Sequence, residues 1–188
     1  MIQFQLREWI LFDVTRDPPG SAVNMPIVLM GVSGSGKTSL GRALAARLGW
    51  SFYDGDDFHS PQAIEKMSLG IPLNDRDRSP WLECLSKLIS DKTRAGENLI
   101  LACSALKKSY RQRLRSGNEN LVFVFLDGSY DLIWDRMQTR GAHYMKAEML
   151  QSQFDDLEVP QNALRVNIDR PIPAILDEII EFIQSSSR

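Results

Sequence analysis

The sequence predicts an α/β fold built on a parallel sheet with helices on both faces. Three observations carry this. Short apolar runs without alternation recur along the chain, segments of helical period separate them, and a glycine-rich octapeptide sits where the first run gives way to the first helix. A strand buried on both faces cannot show the alternation of a half-exposed one. Strand and helix in turn is the pattern of a parallel sheet with crossover helices. Ligands of such sheets bind beyond the carboxyl ends of the strands.

The elements follow in order. Residues 1–25 stand apart as an N-terminal extension: Ile2, Phe4, Leu6, Trp9, Ile10 and Leu11 give it apolar character, and Arg16-Asp17-Pro18-Pro19-Gly20 reads as a linker. Arg7 and Glu8 break any secretory apolar run, and Glu8, Asp13 and Asp17 argue against a transit peptide. Two readings stay open: a docking helix, or a natural start at Met25. The folded domain is expected over 26–188. Ile27–Met30 is a buried strand. Leu40, Ala43, Leu44 and Leu48 recur at helical spacing, and Gly49 stops that helix. Trp50–Tyr53 is a second strand. Ser60-Pro61 reads as an N-cap and first-turn proline, with Ile64 and Met67 on one helix face. Ser79-Pro80 repeats the signal before Trp81, Leu85, Leu88 and Ile89. Leu99–Cys103 and Leu121–Leu126 are further strands. Tyr130, Ile133, Trp134 and Met137 mark a helix. Leu150, Phe154 and Leu157 mark another, ended by Pro160. Leu164–Ile168 is a last strand, and Ile172, Ile175, Leu176, Ile179, Ile180 and Ile183 stripe a closing helix.

Length and composition bound the rest. A chain of 188 residues, 43% hydrophobic and 24% charged, suits one globular domain with a sizeable core. Its formal net charge of −2 lacks the basic excess of a nucleic-acid binder. Lys107, Lys108, Arg111, Arg113 and Arg115, at helical spacing, read equally as a solvated helix face or a binding surface. No run approaches the ~20 apolar residues of a membrane helix. Neither nucleic acid nor membrane is therefore an expected partner. Cys84 and Cys103 have no metal-ligand spacing. Both lie in apolar patterns and read as buried free thiols, which fits a reducing, cytoplasmic setting.

Gly31-Val32-Ser33-Gly34-Ser35-Gly36-Lys37-Thr38 matches the phosphate-binding pattern G-x-x-x-x-G-K-[ST], between a strand and a helix as that pattern requires. Glycines let successive N–H groups converge on phosphate oxygens, and the following helix adds its positive end. Gly31, Ser33, Gly34, Ser35, Gly36, Lys37, Thr38 and Ser39 are the expected ATP-binding residues. Lys37 is expected to reach the β- and γ-phosphates, and Thr38 to hold Mg²⁺. After the second strand, Asp54 and Asp56 are two apart, so in extended chain they face one side. One carboxylate suits the Mg²⁺ shell, and the other suits a substrate hydroxyl proton. A polar turn or a helix N-cap is the plainer alternative. His59 is more simply a structural residue.

Several blocks resemble gluconate kinase. They are the phosphate loop, Asp54-Gly55-Asp56 with His59, Ile64-Glu65-Lys66-Met67, the stretch from Gly70-Ile71-Pro72-Leu73-Asn74-Asp75 to Trp81-Leu82, Ala102-Cys103-Ser104-Ala105-Leu106-Lys107-Lys108-Ser109-Tyr110-Arg111, and Leu150-Gln151-Ser152-Gln153-Phe154 with Leu157-Glu158. The resemblance runs from about Pro26 to the C-terminus. It implies ATP-dependent phosphorylation of D-gluconate at its 6-hydroxyl, on the fold of shikimate and nucleoside monophosphate kinases. That fold has a five-stranded parallel sheet, a substrate-binding helical region and a lid, here about 136–158. A homodimer and a product bound for the pentose phosphate route are also implied. On this reading Lys37, Asp56 and Arg140 are catalytic, and Asp54 supports the metal. Arg136 flanks the nucleotide. Arg78 is the first choice for the substrate carboxylate, with Lys107 and Arg111 next. The lid sequence Gly141-Ala142-His143-Tyr144 departs from the family, which often has Gly directly before the His. A related kinase acting on shikimate or a nucleotide, and a nucleotide-binding regulator without turnover, are the competing readings.

Overall fold

The computed structural model describes residues 24–139 and 147–186. Five strands, β1 (Ile27–Met30), β2 (Ser51–Asp54), β3 (Leu99–Ala102), β4 (Val122–Asp127) and β5 (Leu164–Asn167), pair in parallel in the order β2-β3-β1-β4-β5. Among the described residues the helices are α1 (Lys37–Leu48), α2 (Pro61–Ser68), α3 (Asp75–Arg94), α4 (Lys108–Arg115), α5 (Tyr130–Thr139), α6 (Ala147–Asp155) and α7 (Ile172–Ser186). A 3-10 turn, Gly55–Phe58, follows β2.

The period of two along β1 sorts the layers. All four of its residues are fully buried. Ile27 and Leu29 pack with Leu40 and Leu44 of α1, Met137 of α5, Leu150 of α6 and Ile179 of α7. Val28 and Met30 pack on the other face with Trp81, Leu82 and Leu85 of α3 and Tyr110 and Leu114 of α4. Successive side chains point to opposite faces, and both faces are covered, so no alternation was available in the sequence. Of the expected extension only Asn24 and Met25 are described. Met25 is buried, and its N–H donates to Asn98 Oδ1 at 2.9 Å.

Several local expectations need correction. Ser79-Pro80 does not open its helix. α3 starts at Asp75, capped by Asn74, whose Oδ1 accepts from the N–H groups of Arg76 (2.9 Å) and Asp77 (3.0 Å). Asp77 Oδ2 in turn accepts from the Asn74 N–H at 3.1 Å. This reciprocal box satisfies otherwise orphaned donors. Pro80 sits inside the helix, where it removes the one N–H that would reach the Arg76 carbonyl. In α2 the buried residue is Ala63, while Ile64 and Met67 are 50% and 38% exposed. β2 begins at Ser51 rather than Trp50, because the Trp50 N–H donates to the Ala45 carbonyl at 3.1 Å as the chain leaves α1. α6 ends at Asp155, ahead of Pro160.

The cysteines also separate. Cys103 is buried as expected, but Cys84 is exposed, because it falls beside the inward stripe of Trp81, Leu82, Leu85 and Ile89 on α3. Burial pushes the Cys103 thiol up to about 12, against the pull of the Ala105 N–H and Lys37. A neutral maleimide is therefore expected to label the native protein at Cys84 alone, since the thiolate is the nucleophile. Mass spectrometry of native and denatured samples checks this, and rapid native labelling of Cys103 would contradict it.

Candidate active site

The phosphate loop leaves β1 at the sheet's carboxyl edge, in the middle of the strand order. Gly34 has φ +81°, and a Cβ there would lie 2.8 Å from Met137 Cγ, so only glycine fits its turn. No side chain caps α1, which leaves its first-turn N–H groups for an anion. Lys37 folds over the loop and donates to the Gly31 (3.0 Å) and Val32 (2.9 Å) carbonyls. Desolvation lowers its pKa, while Asp56, Cys103 and Asp54 pull it back up. Ser35 is 3% exposed. Its Oγ has no hydrogen-bond partner among the described residues. Ser39 is exposed on the first turn of α1. A half-buried ammonium held by neutral carbonyls, beside uncapped helix donors, fits a polyphosphate.

The acidic turn meets this loop. Thr38 Oγ1 donates to Asp54 Oδ2 at 2.7 Å. The extended geometry expected to place Asp54 and Asp56 on one side does not persist. β2 ends at Asp54, whose Oδ1 accepts from the Asp56 N–H at 3.2 Å and opens the 3-10 turn. Both the metal-site and the N-cap readings of Asp54 are thus compatible with one carboxylate. Gly55 packs against β3, where a Cβ would lie 2.6 Å from the Ala102 carbonyl oxygen. Its own carbonyl accepts from Trp81 Nε1 at 2.7 Å, so α3 clamps the turn. The Asp56 side chain is 85% exposed. His59 stacks on Trp81 at 4.5 Å and 14°, with its Nε2 4.0 Å from Asp56 Oδ1. Burial lowers the His59 pKa and Arg78 adds to this, against Asp56, which keeps the imidazole neutral at neutral pH. Its buried Nδ1 has no partner among the described residues.

Arg78 and Lys107 meet around the Tyr110 ring. The Arg78 guanidinium lies 5.8 Å from the Tyr110 ring centroid, and its Nη1 donates to Tyr110 Oη at 3.3 Å. The Tyr110 hydroxyl donates to Asp75. Lys107 Nζ pairs with Asp75 at 3.2 Å and Asp156 at 3.7 Å. The Tyr110 and Lys107 hydrogen bonds hold the Asp75 carboxyl below its ordinary pKa, and Asp75 raises that of Lys107. Arg111 behaves differently. It is 9% exposed. Its Nη1 donates to the Ala105 (3.0 Å) and Leu106 (2.7 Å) carbonyls. Ala105 holds φ +43°, a strained conformation for a residue with a Cβ, and this turns both carbonyls toward the guanidinium. Arg111 therefore props the loop that presents Lys107. It is also not part of a solvated face. Arg136 Nη2 donates to the Ile168 carbonyl at 2.8 Å, just past β5. Arg140, with Gly141 to Tyr144, lies outside the described residues.

Thr38 and Asp54 offer the hard oxygen donors that suit Mg²⁺. The sequence left Gln153 and Tyr110 without roles, although both lie in segments that resemble gluconate kinase. Gln153 of α6 accepts from the Ser33 N–H at 2.7 Å through Oε1, and donates to Ser33 Oγ at 3.3 Å through Nε2. Neither contact has a local sequence signature.

The AAA domain family matches residues 27–160, from β1 to just past α6. The gluconokinase of Gluconobacter oxydans (strain 621H) is 43% identical over 162 residues, covering 85% of this chain and 91% of that protein. The thermoresistant gluconokinase of Escherichia coli (strain K12) is 44% identical over 161 residues, covering 84% and 92%. The crystal structure of a gluconokinase from Sinorhizobium meliloti 1021 superposes with a TM-score of 0.77 at 38% identity, over 89% of this chain and all of that one. With its phosphate loop, acidic turn and parallel sheet, the chain belongs to the gluconokinase family.

Proposed function

We propose that this protein transfers the γ-phosphoryl group of ATP to the 6-hydroxyl of D-gluconate, giving 6-phosphogluconate and ADP. The observation that carries the reading is the meeting of three elements at one sheet edge. They are the Lys37 loop, the Thr38–Asp54 pair and the Arg78–Lys107 cluster. The first two suit a nucleotide with its metal, and the third suits a small carboxylate. The activities of the two related gluconokinases point the same way. The same reading carries a homodimer, a cytoplasmic setting and a product consumed by pentose phosphate metabolism.

Asp56 orients the 6-hydroxyl and accepts its proton. The hydroxyl oxygen bonds to the γ-phosphorus, the bond to the β–γ bridging oxygen breaks, and ADP leaves. Lys37 and the loop N–H groups stabilise the transferring charge. Thr38 and Asp54 would hold Mg²⁺, and the ion would supply neutralisation of phosphate charge there. Arg78 binds the gluconate carboxylate, with Lys107 beside it, and Arg111 fixes their loop. Arg136 flanks the nucleotide, and Arg140 reaches its phosphates. His59 stays uncharged and packs Trp81 under the acidic turn.

A coupled ADP-release assay with Mg-ATP tests the reading against D-gluconate, related sugar acids, shikimate and nucleoside monophosphates. Turnover with D-gluconate is expected, and turnover confined to another acceptor would overturn the substrate assignment. Asp56→Asn is expected to lower kcat by about 10²–10⁴ while nucleotide binding persists. A near-normal kcat would remove Asp56 as the base. Arg78→Ala is expected to raise the gluconate KM by about tenfold to a hundredfold, the scale of a hydrogen bond to a charged group, with the ATP KM little changed. An unaltered gluconate KM would place the carboxylate elsewhere.

A further inference from the structure

The contact between α6 and the phosphate loop has no part in the reading above, and its geometry is specific. Gln153 grips Ser33 with both ends of its carboxamide, accepting from the backbone N–H at 2.7 Å and donating to Oγ at 3.3 Å. Ser33 directly follows Val32, whose carbonyl holds the Lys37 ammonium at 2.9 Å. A phosphate-loop lysine serves the β- and γ-phosphates, so Ser33 stands at the terminal-phosphate end of the loop. The N–H that Gln153 engages is one of the inward donors from which such a loop is made. A carboxamide oxygen and a phosphoryl oxygen are both acceptors, and a single N–H at this distance serves one of them well.

We propose that Gln153 is a positioning residue that sets the preference between nucleoside triphosphate and diphosphate. Its Oε1 holds the Ser33 N–H in place of a γ-phosphoryl oxygen. A triphosphate must displace it, and a diphosphate need not. The proposal rests on the nucleotide-binding reading of the loop.

The consequence reaches the other substrate. Three residues beyond Gln153, Asp156 pairs with Lys107 at 3.7 Å. Two further on, Glu158 Oε2 accepts from the Lys108 N–H at 2.5 Å, and the Glu158 N–H donates to the Leu106 carbonyl at 3.1 Å. The segment that touches the terminal-phosphate end of one loop is therefore anchored to the loop that presents Lys107. A change at Ser33 is carried to the acceptor side by a run of a few residues rather than through the core.

Titration calorimetry on the full chain with Mg-ADP and with the non-hydrolysable triphosphate Mg-AMPPNP tests the proposal. Gln153→Ala removes the competing acceptor. It is expected to tighten AMPPNP by about threefold to tenfold, the range of one net hydrogen bond, and to leave ADP within about twofold. Gln153→Asn keeps the amide but withdraws its reach, and should behave like Gln153→Ala. Ser33→Ala keeps the contested N–H and loses only the Oγ contact, so it should shift AMPPNP far less than Gln153→Ala does. Equal changes for both nucleotides, or weaker AMPPNP binding in Gln153→Ala, would overturn the proposal while leaving the kinase reading intact. A wild-type protein that binds neither nucleotide would overturn both.

Discussion

Everything at the site follows from the position of β1. It is the middle strand, paired on both sides and buried on both faces. When it ends at Met30, the chain must turn where no strand can take its N–H groups. Glycine at Gly34 allows the turn, Gly36 enters α1 in a left-handed conformation, and α1 starts without a side-chain cap. Buried backbone donors demand partners. A loop of inward N–H groups with an uncapped helix behind it meets that demand with phosphate oxygens. Anion binding is thus the consequence of ending a central parallel strand this way.

The acceptor side is held by α3 and by the loop after β3, and both are fixed by unusual local contacts. Trp81 reaches from α3 to the Gly55 carbonyl and stacks on His59, which fixes the acidic turn to α3, while Thr38 ties it to the phosphate loop. The loop after β3 carries a left-handed alanine, Ala105, braced by Arg111. Backbone strain of this kind costs about 1–3 kcal/mol and persists only where neighbours over-determine it. Here the Gly31 N–H also donates to the Ser104 carbonyl at 3.2 Å, which ties the strained loop to the phosphate loop. The two halves of the site are thus linked through backbone as well as through the Thr38–Asp54 and Gln153–Ser33 side-chain contacts.

Much of this was legible in the sequence, for identifiable reasons. The phosphate loop is a local motif with a local mechanism, so its residues and flanking elements follow directly. The strands were readable because burial on both faces leaves continuous apolar runs such as 121–126. The start of α3 was misread because two N-terminal signals compete there, and the Asn74–Asp77 box prevails over Ser79-Pro80. Cys84 was misplaced because an apolar neighbourhood in sequence does not say which helix face a residue takes. Arg111 and Gln153 were beyond reach for a different reason. Their partners are a strained carbonyl pair and a backbone N–H on another element, and neither leaves a trace in the spacing of residue types. Family resemblance supplied Arg78 and Lys107, which spacing alone would have left as surface charges.

The electrostatics of the acceptor side decide what kind of ligand suits it. Arg78 and Lys107 are already engaged, the first with Tyr110 and the second with Asp75 and Asp156. Asp75 is itself held in its ionised form by the Tyr110 hydroxyl and Lys107. The Lys107–Asp75 pair meets solvent chiefly through Asp75, which is 66% exposed, and an ion pair open to water contributes little. A ligand carboxylate can therefore join or exchange into the network at small cost, whereas a neutral ligand would leave it as it is. Hydroxyls along the same ligand can meet further polar groups near the acidic turn, where the Asp56 carboxylate is exposed. The acceptor proposed above, an acid at one end with a chain of hydroxyls behind it, answers both features.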